Sequence, residues 1–113
     1  MPSDCVFCRI VSGELPAEVV HREQGLVAIR DIHPVADTHV LVIPERHVAD
    51  LRELTSADRD LWWRLTQAAN RVAEQLGHST GYRFFVSVGS GGGQTVFHLH
   101  VHVLGGAMTR LPQ

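Results

Sequence analysis

Three histidines alternate with apolar residues in the stretch Phe97-His98-Leu99-His100-Val101-His102-Val103-Leu104. Side chains alternate along an extended chain, so the histidines share one face, and Phe97, Leu99, Val101 and Val103 share the other. Successive imidazoles would stand roughly 6.5 to 7 Å apart along a rigid row. A polar stripe on a half-buried strand is ordinarily Thr, Lys, Glu or Arg. Imidazoles in register point instead to metal binding or to proton and group transfer near neutral pH. His21, His33, His39, His47 and His78 bring the total to eight. All ten cationic residues are arginine, and the absence of lysine excludes Schiff-base chemistry and the Walker A phosphate loop. Cys5 and Cys8 form a C-x-x-C pair. A disulfide framework needs more cysteines and an extracellular context, which leaves metal or redox use. For a zinc finger, His21 follows Cys8 at a usual interval, but the next histidine, His33, is too far on. A thioredoxin-type pair would need a β-α context that is not visible here.

These groups need a scaffold to hold them. With 113 residues, 44% hydrophobic and 19% charged, the chain reads as a single globular domain spanning residues 1–113 and as a whole protein. No apolar run approaches the roughly 20 residues needed to span a bilayer. Met1-Pro2-Ser3-Asp4 has no basic or signal-like stretch, so the cytoplasm is the expected compartment. A net charge of −2 with scattered arginines leaves no electrostatic footprint for nucleic acid or membrane. Strands are predicted at Glu18 to Arg22 and Leu26 to Arg30 around a Glu23-Gln24-Gly25 turn. Thr38 to Ile43, closed by Pro44, reads as a buried central strand. Tyr82 to Val88 and Val96 to Leu104 flank the glycine cluster at 89–93 and predict a further antiparallel pair. Thr55 or Ser56 caps one good helix, along which Leu61, Leu65, Ala68, Val72 and Leu76 recur at helical spacing until Gly77 stops it. Arg64, Gln67, Arg71 and Glu74 fall toward its wet side, while the adjacent Trp62 and Trp63 cannot face the same way. Strands grouped around one helix without β-α-β alternation indicate an α+β domain with an antiparallel sheet.

The run His98-Leu99-His100-Val101-His102-Val103-Leu104 resembles the signature of the histidine triad (HIT) superfamily. With Gly92-Gly93-Gln94-Thr95-Val96 before it and Gly105-Gly106 after it, it is similar to the histidine triad nucleotide-binding (Hint) branch. The likeness runs from Cys5-Val6-Phe7-Cys8 through Asp31-Ile32-His33-Pro34 and Thr38-His39-Val40-Leu41-Val42-Ile43-Pro44 to Leu104. It implies a HIT-like fold: a five-stranded antiparallel sheet with one main and one short helix, continued across a homodimer. The implied activity is hydrolysis of the P–N bond of purine nucleoside 5′-phosphoramidates through a nucleotidyl-histidine intermediate. A dinucleoside polyphosphate hydrolase, or a non-catalytic nucleotide- or zinc-binding module, is the alternative. By resemblance, His100 is the nucleophile and His102 meets the phosphate or leaving group, where a protonated ring would neutralise charge. Asp31 would hold the ribose, and Gly93, Gln94 and Thr95 the α-phosphate. Phe7, Ile10 and Ile32, with Val6, Leu15 and Ile29, would form the base pocket. Ser87 stands where the family commonly has asparagine, and its shorter side chain cannot reach as far toward ribose or phosphate. Bacterial relatives suggest structural zinc on Cys5, Cys8, His47 and His98. His39 is a candidate for orienting the triad, and His33 lies beside the ribose site.

Overall fold

The structure, a computed structural model, describes residues 4–113; Met1, Pro2 and Ser3, read above for targeting signals, lie outside the described residues. The chain forms an α+β domain whose five strands are all antiparallel. A short helix α1 (Val6–Val11) is followed by β1 (Val19–Glu23), β2 (Leu26–Arg30) and β3 (Ala36–Pro44). The main helix α2 (Arg59–Gln75), β4 (Arg83–Phe85) and β5 (Val101–Met108) complete the order. The sheet runs β1-β2-β3-β5-β4, so β3 and the histidine-bearing β5 lie side by side near its middle.

Both faces of the sheet are covered. Leu65, Ala68, Ala69 and Val72 of α2 pack on Leu26, Ala28, Val40, Val42, Leu99, Val101 and Val103. On the opposite face α1 brings Cys5, Phe7 and Cys8 against Val27, Ile29, Leu41 and Ile43. That two-sided burial explains why β2 and β3 read as near-continuous apolar runs rather than alternating ones. The helix starts as its sequence suggests: Thr55 and Asp58 form a capping box on a 3-10 turn, and Gly77, at φ +93°, follows its end. Trp62 packs on the core while Trp63 is exposed. Arg64 and Arg71 both reach Glu23 on β1, at 3.0 and 2.5 Å, so part of the expected wet side ties the helix to the sheet edge. Among the described residues no helix is long and apolar enough to cross a membrane.

The strand around the triad differs from its predicted span. Val101 pairs with Val42, and continuing that register would set Leu99 opposite Pro44, which has no N–H to give. The Leu99 N–H turns to the Val48 carbonyl at 2.6 Å, and β5 begins only at Val101. Alternation still holds from His98 to Val103, but Phe97 is 51% exposed and does not join the core face. Beyond the triad β5 runs on to Met108, while β4 is only three residues long instead of the predicted seven. Gly105 is required because a Cβ there would strike the His78 ring, and Gly106 has a φ of +79°.

Candidate active site and metal centre

Because side chains alternate from His98 into the start of β5, His98, His100 and His102 all face the α1 side of the sheet, and all three are buried. They do different things. The His100 Nδ1–H donates to the His98 carbonyl at 2.7 Å, which places the proton on Nδ1 and leaves a lone pair on Nε2. Phe7 meets the His100 ring edge to face, with centroids 5.1 Å apart, and restrains its rotation. His100 and His102 have ring centroids 4.8 Å apart, closer than a rigid row would give, because the rings tilt toward each other at 67°.

His102 belongs to a chain of hydrogen bonds whose direction is fixed at one end. The Val35 N–H donates to His39 Nδ1 at 3.1 Å, so the His39 proton sits on Nε2. That Nε2–H donates to His102 Nδ1 at 2.9 Å, which in turn puts the His102 proton on Nε2. The His102 Nε2–H then donates to the Gln113 backbone oxygen at 2.9 Å, which also lies 3.5 Å from His100 Nε2. Burial, with the charges His100 and His39 would carry, pushes His102 down to about 4. At neutral pH it is therefore an uncharged hydrogen-bond donor, not the imidazolium expected from the sequence. His39 is lowered too, chiefly by burial, while Asp31 opposes the shift. Replacing His39 by leucine should remove the constraint on His102 and lower kcat by about 10- to 100-fold. Glutamine, which can accept from Val35 and donate to His102, should recover much of the loss. Equal losses in both variants, measured by steady-state kinetics, would reject the positioning role.

A cavity of about 430 Å³ opens in front of this row. Val6, Phe7, Ile10, Leu15, Ile29 and Ile32 form its apolar end; Asp31, Thr95, His100 and His102 also line it. Ile32 is 84% exposed, so it forms a rim rather than core. Asp31 Oδ1 accepts the His33 N–H at 2.8 Å, and Oδ2 lies 3.4 Å from His39 Nε2. Ser87, Gly93 and Gln94 do not line the cavity. Gln94 is buried, with Oε1 accepting the Gly89 N–H at 2.9 Å and Nε2 donating to the Ala49 and Val96 carbonyls at 2.7 and 2.9 Å. Its amide braces the glycine loop against the segment that follows β3. Sequence reasoning missed Arg110, Leu111 and Gln113, which also line the cavity. No motif marks that tail.

Cys5, Cys8, His47 and His98 bring their donor atoms within 4.8 Å of one another. Cys5 Sγ lies 3.3 Å from His98 Nδ1, and Cys8 Sγ 3.3 Å from His47 Nδ1. The set fits a tetrahedral cation such as zinc, and the tautomer agrees. The His98 Nε2–H donates to the Pro44 carbonyl at 2.7 Å, turning the Nδ1 lone pair to the thiols. Cys5 Sγ also accepts the Cys8 N–H at 3.4 Å. Burial and the neighbouring Cys5 push the Cys8 thiol up to about 11, so metal uptake must expel its proton. Asp31, His39 and His102 also lie within 4.8 Å of one another. There the tautomer disagrees: the His39 Nε2 that would have to ligate carries the proton, so that group is a hydrogen-bond relay.

Antiparallel sheet, buried triad and adjoining cavity define the class, and comparison with known proteins gives the family. The HIT domain profile matches residues 12–109, and the chain belongs to the HIT domain family. An uncharacterized HIT-like protein of Synechococcus elongatus is 39% identical over 112 residues, covering 99% of this chain and 98% of its own. The crystal structure of a HIT family hydrolase from Legionella pneumophila superposes with a TM-score of 0.90 at 41% identity, over 96% of this chain and 98% of that one. A zinc-bound histidine triad family protein from Mycobacterium smegmatis superposes with a TM-score of 0.78 at 34% identity, over 92% of this chain and 76% of that one.

Proposed function

We propose that this chain is a nucleotide hydrolase that cleaves the P–N bond of purine nucleoside 5′-phosphoramidates, with His100 as the nucleophile. The observation that carries the reading is the His100 Nδ1–H bond to the His98 carbonyl, which turns the Nε2 lone pair to the cavity wall, with the Gln113 backbone oxygen 3.5 Å away. In the first step the Nε2 lone pair forms a bond to phosphorus while the P–N bond breaks, and the amine leaves with a proton taken from solvent. In the second, water attacks phosphorus, the N–P bond to His100 breaks and the nucleoside monophosphate is released. The His102 Nε2–H donates to the phosphoryl oxygen on which charge builds. Asp31 would accept from the ribose hydroxyls, Thr95 would contact the phosphate side, and Phe7, Ile10 and Ile32 would enclose the base. Gly93, Gln94 and Ser87 would then act on the shape of the glycine loop rather than on the ligand.

Zinc on Cys5, Cys8, His47 and His98 would be structural, holding α1 to the sheet with all four positions filled by protein. A homodimer joined along β4 and α2 is supported by the exposed Phe84 on that edge strand and by the exposed Trp63. Substrate choice is tested by offering adenosine 5′-phosphoramidate and a diadenosine polyphosphate side by side. The expected result is a kcat/KM at least about tenfold higher for the phosphoramidate. The opposite order assigns the site to dinucleoside polyphosphates.

A further inference from the structure

A phosphoryl group in this cavity needs its negative charge met, and few cationic groups are at hand. The chain has no lysine. The N–H groups of Gly92, Gly93 and Gln94 donate to the Gly89, Ser90 and Gly89 carbonyls at 3.1, 3.0 and 3.1 Å, so the glycine loop does not form an open anion nest. The Gln94 amide is fully used by backbone. His102 offers a single N–H, already given to the Gln113 backbone oxygen.

The described residues lining the cavity include only two arginines, Arg30 and Arg110. Glu18 takes Arg30 at 2.8 Å. Arg110 makes no ion pair with any described carboxylate. Its position is set by its neighbour: the Thr109 N–H and Oγ1–H both donate to the Val35 carbonyl, at 2.7 and 3.2 Å. Val35 is also the residue whose N–H fixes the His39 tautomer, so the tail is tied to the root of the relay. The charge on Arg110 is felt there, as it helps to hold His39 down. Three residues on, the Gln113 backbone oxygen accepts from His102 Nε2 at 2.9 Å and lies 3.5 Å from His100 Nε2. That oxygen marks the place a phosphoryl oxygen would take.

We propose that Arg110 is the cation that binds the phosphoryl group in this site, its guanidinium moving onto the non-bridging oxygens as the substrate displaces the Gln113 backbone oxygen. The assignment rests on the nucleotide reading above and extends it to a residue outside the triad motif. A free, exposed guanidinium loses little by ordering and can bind two oxygens at once.

The test compares the binding of AMP and adenosine by calorimetry in the wild-type protein, Arg110→Gln and Arg110→Lys. Arg110→Gln should weaken AMP by about tenfold and leave adenosine within about twofold. Arg110→Lys should recover part of the AMP affinity. The salt dependence of AMP binding should flatten in Arg110→Gln. Arg110 is exposed, so the fold tolerates both changes. AMP unaffected by Arg110→Gln, or AMP and adenosine weakened together, would overturn the proposal. If the wild-type protein binds neither compound, the nucleotide reading fails and this proposal falls with it.

Discussion

His100→Ala is expected to lower kcat for adenosine 5′-phosphoramidate by at least about 1,000-fold while AMP still binds within about threefold of wild type. The size of the effect follows from the division of labour along the triad. His98 turns its ring to the thiols and its carbonyl to His100. His102 is held as a donor by His39, with no lone pair facing the cavity. Of the triad, only His100 turns an Nε2 lone pair to the cavity, so neither of its two companions can take over the attack. Binding should survive because Asp31, the apolar end and Arg110 are untouched. Removing the ring also deletes its packing on Phe7, so the melting temperature should be recorded beside the kinetics. A folded variant that retains turnover would refute covalent catalysis through His100. A parallel check is mass spectrometry of the quenched wild-type reaction, where a nucleotidyl adduct should appear and should be missing from the variant.

The parts of this site that were legible in the sequence depend on local periodicity; the illegible parts depend on contacts made across the fold. Alternation placed His98, His100 and His102 on one face because Leu99, Val101 and Val103 needed the other. The point where pairing begins could not be read, because it is set by Pro44 on a neighbouring strand. Gln94 looked like a ligand beside a glycine cluster; its partner Ala49 is 45 residues away, and only folding shows the amide turned inward. The charge of His102 was misread for the same reason. Burial and the His39 bond decide it, and neither is written in the H-x-H-x-H spacing. The four thiol and imidazole donors were legible as a set only by resemblance, since His47 and His98 are 51 residues apart in sequence and meet with ring centroids at 5.0 Å. Arg110 carried no signal at all, being one of ten scattered arginines.

Removing the proposed metal ligands should reach the cavity as well as the fold. Helix α1 is only six residues long, too short to be stable by itself. Cys5 and Cys8 fix one side of it, while Phe7 and Ile10, on the same short segment, line the cavity. Cys8→Ala is therefore expected to abolish stoichiometric zinc. If zinc normally stands near 1,000 times its dissociation constant, the loss is about 4 kcal/mol, enough to lower the melting temperature by about 10 °C or more. AMP affinity should fall by about tenfold, because the apolar end of the pocket loses its anchor. Chelation of the wild-type protein should reproduce both effects, and added zinc should reverse them with release of at least one proton, as the raised Cys8 thiol requires. Wild-type protein that carries no zinc under reducing conditions, or whose melting temperature ignores a chelator, would remove the metal from the account. A chelator that lowers the melting temperature but spares AMP binding would instead keep the metal and break the link from α1 to the pocket.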